Sequence, residues 1–65
     1  MNIDEFKSLQ KGARIHNAMA ESHGAITDVL HVRGRTIVYI KWDGTDREHS
    51  FPESSTAWMH WDMLT

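Results

Sequence analysis

Hydrophobic and polar positions mark out one strand most clearly in the middle of the chain, over residues 35–42. Residues that pack well on a pleated surface dominate this stretch: Thr36, Ile37, Val38, Tyr39, Ile40 and Trp42. Arg-Gly-Arg precedes it and Asp-Gly-Thr follows it, so each end has the glycine that a tight hairpin turn requires. The pattern predicts a strand with antiparallel neighbours. Because both of its faces are apolar, we expect it to be central or covered on its outer face.

Three further strands are predicted where apolar residues lie between turn-forming residues, at 13–19, 25–32 and 47–51. Within the second of these, Val29 is out of phase with the other apolar residues, which predicts a β-bulge near Asp28. Pro52 ends the fourth strand, because proline has no N–H for the hydrogen-bond ladder. The tail, 57–64, fits both helical and strand spacing, and we predict a short fifth strand that runs into a single turn.

The first eleven residues have the pattern of a short helix. Asn2 is placed to cap its start and Glu5 is at the third helical position, which together form a capping box. An apolar stripe recurs every third residue, at Ile3, Phe6 and Leu9. Gly12 offers the left-handed residue that often ends a helix. We predict a helix from Ile3 to about Gln10 that covers one open end of the sheet.

The composition limits the class of protein. The chain has 65 residues, no cysteine and a formal charge of −2, so we expect one small domain without disulfides or thiolate metal sites. A dedicated duplex-DNA binder usually has a basic excess, which is absent here. The N-terminus is acidic and no apolar run is long enough to span a membrane. This predicts neither a membrane span nor a secretory signal, and favours a cytoplasmic protein.

Three turn motifs together resemble an SH3-like small barrel, most closely its Tudor and KOW-type branch. They are Lys11-Gly12 before the first strand, Gly24-Ala25-Ile26 at the second and Trp42-Asp43-Gly44 after the third. The resemblance covers roughly residues 9–64. It implies an all-β fold in one domain, 1–65: a five-stranded antiparallel SH3-like barrel over 12–65 preceded by a short N-terminal helix within 1–11. Such barrels mostly bind proteins or nucleic acids, so the resemblance implies a binding module.

Catalytic and metal motifs are weak. Plasmid-type dihydrofolate reductases have this fold and carry Val-Gln-Ile-Tyr at a tetramer pore, whereas this chain has Ile37-Val38-Tyr39-Ile40 at the nearest place. Ser54, His49 and Asp46 are present, but no GxSxG turn presents a nucleophile. The histidines form no HExxH motif and no helical ligand pair: His16, His23, His31, His49 and His60. We predict no enzyme activity, no metal site and no cofactor.

Aromatic residues are the better candidates for a binding site. Tyr39, Trp58 and Trp61 belong to strands that neighbour one another in an SH3-like barrel. Their rings are suited to stack on a peptide, a methylated Lys or Arg side chain, or an unstacked base. A core role is equally compatible with these three residues. For Trp42 and Phe51 we favour the core.

Basic residues form one local cluster. Arg33 and Arg35 flank a turn glycine, and Lys41 is on the same strand phase as Arg35. Such a cluster is suited to contact phosphates or an acidic patch on a partner. The predicted partner-binding residues are therefore Tyr39, Trp58, Trp61, Arg33, Arg35 and Lys41.

These features predict a small non-enzymatic accessory adaptor or regulator that recognises a protein partner through an aromatic face. A short reading frame that starts with Met fits an accessory protein of a phage or mobile element. Self-association into a homo-oligomer is a further possibility. One alternative is nucleic-acid binding of the KOW or cold-shock type, which salt would weaken steeply. Another is an oligomeric enzyme with its site at a symmetry axis, which requires a stable tetramer.

Overall fold

The computed structural model describes residues 1–64, which form one antiparallel sheet with two short helices. The predicted all-β class is confirmed; the last residue of the predicted barrel, Thr65, lies outside the described residues. No helix within this range is long and apolar enough to cross a membrane. The elements are α1 (Ile3–Lys7), β1 (Arg14–Asn17), β2 (Ser22–Val32), β3 (Arg35–Trp42), β4 (Glu48–Pro52), a 3₁₀ helix (Ala57–His60) and β5 (Trp61–Leu64).

The five strands are ordered β4-β3-β2-β1-β5, and every neighbouring pair is antiparallel. The strand predicted to be central, β3, lies between β2 and β4. A two-residue turn joins β2 to β3, and both of its residues, Arg33 and Gly34, have positive φ values, 52° and 77°. A type I′ hairpin requires positive φ at both positions, and glycine adopts this conformation without steric strain. Strands β4 and β5 form the two edges of the sheet.

The predicted bulge lies in β2. The pairing of β2 with β3 shifts register between Ile26 and Asp28, which confirms the expectation from the sequence. Side chains of one strand alternate between the two faces, so one extra residue reverses the alternation. Because of the shift, Ile26 and Val29 both face the core, whereas Leu30 is turned to the opposite face.

The core covers one face of the sheet, which we call the inner face. Phe6 of α1 stacks on Trp58, with ring centroids 4.7 Å apart. The Trp61 ring meets the edges of Phe51 and Trp42 at centroid distances of 4.9 and 5.8 Å. Large aromatic rings from both ends of the chain therefore fill a small interior. The fully buried apolar residues are Phe6, Leu9, Ile15, Ile26, Val38, Ile40, Trp58 and Trp61.

The N-terminal helix begins as predicted and ends earlier. The Asn2 side chain accepts from the Glu5 amide at 2.9 Å, and the Glu5 side chain accepts from the Asn2 amide at 3.1 Å, so the capping box is present. The helix stops at Lys7 because the hydroxyl of Ser8 donates to the Glu5 carbonyl and the chain then turns to bury Leu9. A helix this short is not stable alone, so packing on the core must maintain it.

The tail differs from the prediction in the order of its elements. The 3₁₀ helix comes first and β5 follows it, whereas the sequence predicted a strand before a turn. In a 3₁₀ helix, residues three apart lie on the same side. This spacing directs Trp58 and Trp61 to the core together, and β5 then continues along β1.

Three other strands have different bounds from the prediction. Strand β4 covers Glu48–Pro52 instead of 47–51, so Pro52 is its last residue. Strand β1 ends at Asn17, because the Asn17 side chain accepts from the amides of Met19 and Ala20 and closes a turn. The predicted strand to residue 19 is therefore too long. Strand β2 begins at Ser22, before the predicted start at residue 25, because it pairs with β1 across the turn.

Gly24 of β2 has no room for a side chain. A Cβ at this position would lie 2.7 Å from the Trp42 ring and 2.9 Å from the Ile40 side chain. Overpacking of this kind typically costs about 1–3 kcal/mol. We expect Gly24→Ala to lower the free energy of unfolding by that amount in urea denaturation. Gly34→Ala is a poor control because of its positive φ, whereas Ala25→Ser changes an outward-facing neighbour and should leave stability nearly unaltered.

Candidate interaction surface

The face of the sheet opposite the core carries three of the six predicted binding residues. Along β3, buried and accessible residues alternate, with Thr36, Val38 and Ile40 facing the core. Their neighbours in β3 face outward, as do the residues paired with them in β2 and β4. We call this surface the outer face, and its residues are Ala25, Asp28, Leu30, Val32, Arg35, Ile37, Tyr39, Lys41, Glu48, Ser50 and Pro52.

An apolar strip runs across the middle of the outer face. Ile37 pairs with Leu30 on one side and Pro52 on the other, and Tyr39 occupies the next outward position of β3. Leu30 and Val32 are 39% and 49% exposed. None of these residues is among those packed against the core. The strip therefore leaves apolar area in contact with water on a sheet face, where such area often marks an interaction site.

Cations lie at both ends of this strip. Arg35 and Lys41 are the first and last outward residues of β3, and Arg33 occupies the adjoining turn. Within residues 1–64, none of the three has a carboxylate within ion-pair distance. The carboxylate of Glu48, which pairs with Lys41 across the strands, instead accepts from the Thr27 hydroxyl at 2.6 Å. These positive charges are free to meet an acidic partner.

A groove of about 460 Å³ opens where the strip meets the β2–β3 turn. Glu53, which lines this groove, is hydrogen-bonded to two buried residues. The Glu53 carboxylate accepts from the Thr36 amide at 3.0 Å, and its backbone carbonyl accepts from the Trp58 indole at 3.2 Å. Lys7 of α1 lies 3.7 Å from the same carboxylate. The groove is lined by Val32, Arg33, Arg35, Thr36, Ile37, Pro52, Glu53 and Ser54.

The structure brings together four of the six residues predicted to bind a partner. Tyr39, Arg35 and Lys41 share the outer face, and Arg33 lines the adjoining groove. Trp58 and Trp61 are instead only 5% and 1% exposed and pack in the core, so the structure removes them from the candidate surface. The physical reason is their contact with rings that the sequence places far away.

Sequence reasoning missed the apolar part of the outer face. Leu30 and Val32 are in phase with Ile26 in the sequence, so a strand without an extra residue would place all three on the same face. The bulge predicted near Asp28 is the feature that distinguishes the face of Leu30 and Val32 from the face of Ile26. One extra residue at that point turns everything after it to the other face.

Titratable side chains elsewhere form a separate row on β1, β2 and β5. The His16 ring lies between two carboxylates, 3.5 Å from Glu21 and 3.7 Å from Asp62, and its centroid is 4.9 Å from that of His23. No group of three His, Asp or Glu side chains in the described part of the chain is placed to hold a metal ion. This row therefore places one histidine ring beside two carboxylates and a second histidine.

One ion pair joins the first residue of β1 to the β3–β4 turn. The Arg14 guanidinium donates two hydrogen bonds to the Asp43 carboxylate, one of them at 3.0 Å. These bonds lower the pKa of Asp43 and raise the pKa of Arg14. Asp43 neutralises the charge of Arg14. The unpaired cations beside the apolar strip are therefore Arg33, Arg35 and Lys41.

Comparison with known proteins gives no functional assignment, so a proposal for the function must rest on the geometry of the site. No protein-family model matches the chain, and no curated protein or solved structure does so either.

Proposed function

We propose that this protein is a non-catalytic binding module whose outer face docks on an acidic segment of a partner protein. The observation that carries the proposal is the exposed apolar strip with an unpaired cation at each end. A partner that supplies apolar side chains flanked by carboxylates would match this arrangement in both shape and charge.

Tyr39 is expected to contribute most of the binding energy. It lies in the middle of the outer face, between the positions of Arg35 and Lys41, and is half-buried. Tyrosine and arginine are the types that dominate binding energy at protein interfaces, particularly near the centre of the contact. Tyr39 also rests on a rigid inner strand, so little conformational entropy is lost when it is covered.

The same proposal includes an SH3-like curvature of the sheet. Three features support it: β1 lies between β2 and β5 in the strand order, β2 has a register shift at its middle, and rings from β4 and β5 approach to 4.9 Å across the interior. A bulge bends a strand and increases its twist, which brings the two halves of a sheet towards each other. The outer face would then be the convex side of β2–β4.

Protein recognition is favoured over nucleic-acid binding by charge. The whole chain is acidic, at −2. The outer face and its adjoining turn supply only three cations, and the outer face also carries the carboxylates of Asp28 and Glu48. Binding to phosphates requires many neutralising contacts and little apolar area. A contact centred on Tyr39 and Leu30 would keep most of its affinity when salt rises.

A peptide selection tests this function. A random dodecapeptide library displayed on phage is selected against the immobilised protein, and the enriched peptides are measured by fluorescence anisotropy. We expect enrichment of peptides that combine acidic with aromatic or aliphatic residues. Tyr39→Ala should weaken their binding at least about tenfold, because it removes a central contact. Arg35→Glu should have a similar effect through charge repulsion.

Two matched variants control for non-specific effects. Met59→Ala removes a side chain that is exposed at 55% away from the outer face, and Lys11→Glu repeats the charge reversal at a distant turn; neither should change affinity. Selection of peptides without acidic residues, or equal affinity for Tyr39→Ala and wild type, would contradict the proposal. Steeply salt-dependent binding to single-stranded or duplex oligonucleotides would instead identify a nucleic-acid partner.

A further inference from the structure

The free edge of β4 has a defined set of unpaired backbone groups. The Glu53 amide donates to the Thr36 carbonyl at 2.9 Å, which fixes the phase of hydrogen bonding between β3 and β4. In an antiparallel pair, hydrogen-bonded and non-hydrogen-bonded residue pairs alternate. Phe51 and His49 therefore bond to β3. Glu48, Ser50 and Pro52 direct their backbone groups away from it.

Only two of these residues remain available at the edge. Pro52 has no N–H, and its carbonyl accepts from the Ser55 amide at 2.9 Å. Glu48 and Ser50 are left with one donor and one acceptor each. Both residues are exposed, so the edge offers two N–H groups and two carbonyls to an incoming strand.

The other edge of the sheet, along β5, is more occupied. The Ala18 amide donates to the His60 carbonyl at 3.0 Å, so by the same alternation Trp61 and Met63 direct their backbone groups outward. The Trp61 carbonyl already accepts from the amino group of Met1 at 3.0 Å, and its amide donates to the Trp58 carbonyl. Among residues 61–64, Met63 alone remains open, which makes β4 the better template for pairing.

We infer that β4 pairs with β4 of a second copy of this chain in an antiparallel two-fold arrangement. In the register centred on His49, Glu48 of each copy lies opposite Ser50 of the other. The two donors and two acceptors of each edge are then all used, in four hydrogen bonds related by the two-fold axis.

Neighbouring registers are less favourable. Centring the pair on Ser50 places Glu48 opposite Pro52, which has no N–H to donate to the Glu48 carbonyl. Centring it on Glu48 places two carboxylates directly opposite each other, where like charges repel. Two copies of the β4 edge therefore pair best in the register centred on His49.

Charge complementarity supports a second copy as the occupant. Antiparallel pairing brings the β3–β4 turn of one copy towards the end of the sheet where Pro52 and Arg35 of the other copy lie. That turn carries Asp46, which forms no ion pair within residues 1–64. Arg35 is likewise without a carboxylate partner there. The pairing thus places an open carboxylate and an open guanidinium at the same end of the joined sheets.

Sedimentation velocity tests the dimer without any peptide present. Across about 10 μM to 1 mM, the range suited to a small interface, wild type should shift from the mass of a monomer to twice that mass. Ser50→Pro removes the outward N–H and should remain monomeric. The matched variant Ser50→Ala keeps the backbone donor and should dimerise like wild type. Far-UV circular dichroism establishes that each variant is folded.

A second proline variant keeps the test decisive if Ser50→Pro does not fold. Glu48 is the first residue of β4, a position where proline is tolerated in a strand, and Glu48→Pro should also abolish the dimer. A wild-type protein that stays monomeric throughout, or a folded proline variant that dimerises normally, would overturn the inference. Because Tyr39→Ala leaves the β4 edge intact, it should dimerise normally, so failure of peptide binding and failure of dimerisation are distinguishable.

Discussion

Trp61→Ala is expected to remove a large part of the free energy of unfolding. Trp61 is 1% exposed, and its ring meets three others at centroid distances of 4.9 to 6.3 Å. Truncating a buried aromatic residue to alanine costs about 3–5 kcal/mol. A chain of this length has a total stability of about 3–10 kcal/mol, so the loss removes much or all of it. Urea denaturation followed by circular dichroism measures the change.

Trp61→Phe separates the contribution of the aromatic ring from that of the indole N–H. The Trp61 indole nitrogen is buried without a hydrogen-bond partner among the described residues, and an unsatisfied buried donor costs about 1–3 kcal/mol. Phenylalanine keeps an aromatic ring and removes that donor, so its net loss should be under about 2 kcal/mol. Equal destabilisation by Phe and Ala would mean that the indole nitrogen is satisfied in solution.

Phe6→Ala is expected to release α1 from the sheet and to destabilise the whole domain. The Phe6 ring is fully buried and stacks on Trp58 at 4.7 Å. The helix has only five residues, too few for independent stability, so its place depends on this contact and on Leu9. We expect a loss of about 3–5 kcal/mol in urea denaturation, with the amides of α1 losing protection in hydrogen exchange.

Ile3→Ala provides the control on the same helix. Ile3 is 38% exposed, so its truncation should cost under about 1 kcal/mol. The capping box between Asn2 and Glu5 remains in both variants. If Ile3→Ala destabilised the domain as much as Phe6→Ala, the helix would be held by a different face from the one that the structure shows.

The binding proposal and the dimer proposal share Arg35 but otherwise use different parts of the same half of the sheet. Peptide binding depends on side chains of the outer face, chiefly Tyr39 and Arg35. Dimerisation depends on the backbone of β4 and uses no side chain of the apolar strip. If both hold, the two outer faces join into one continuous surface, and a partner with two acidic segments would gain affinity through bivalent binding.

Local features were predictable to within a few residues. The bounds of β3 and the capping box agree with the sequence pattern, because alternation and helix capping depend on residues close together in the chain. The bulge in β2 was predictable for the same reason. Its effect on Leu30 and Val32 depends on which residue is the extra one, and the register of β2 against β3 fixes that residue between Ile26 and Asp28.

The sequence by itself determined the strand–turn pattern and which aromatic and basic residues were candidates for the core or for a binding surface. Only the tertiary structure decided which rings are buried, because Trp58 and Trp61 are sealed by Phe6 from the opposite end of the chain. It also decided that Tyr39, Arg35 and Lys41 face outward beside an apolar strip. Strand periodicity defines two faces, but contacts between distant segments select which of them becomes the core.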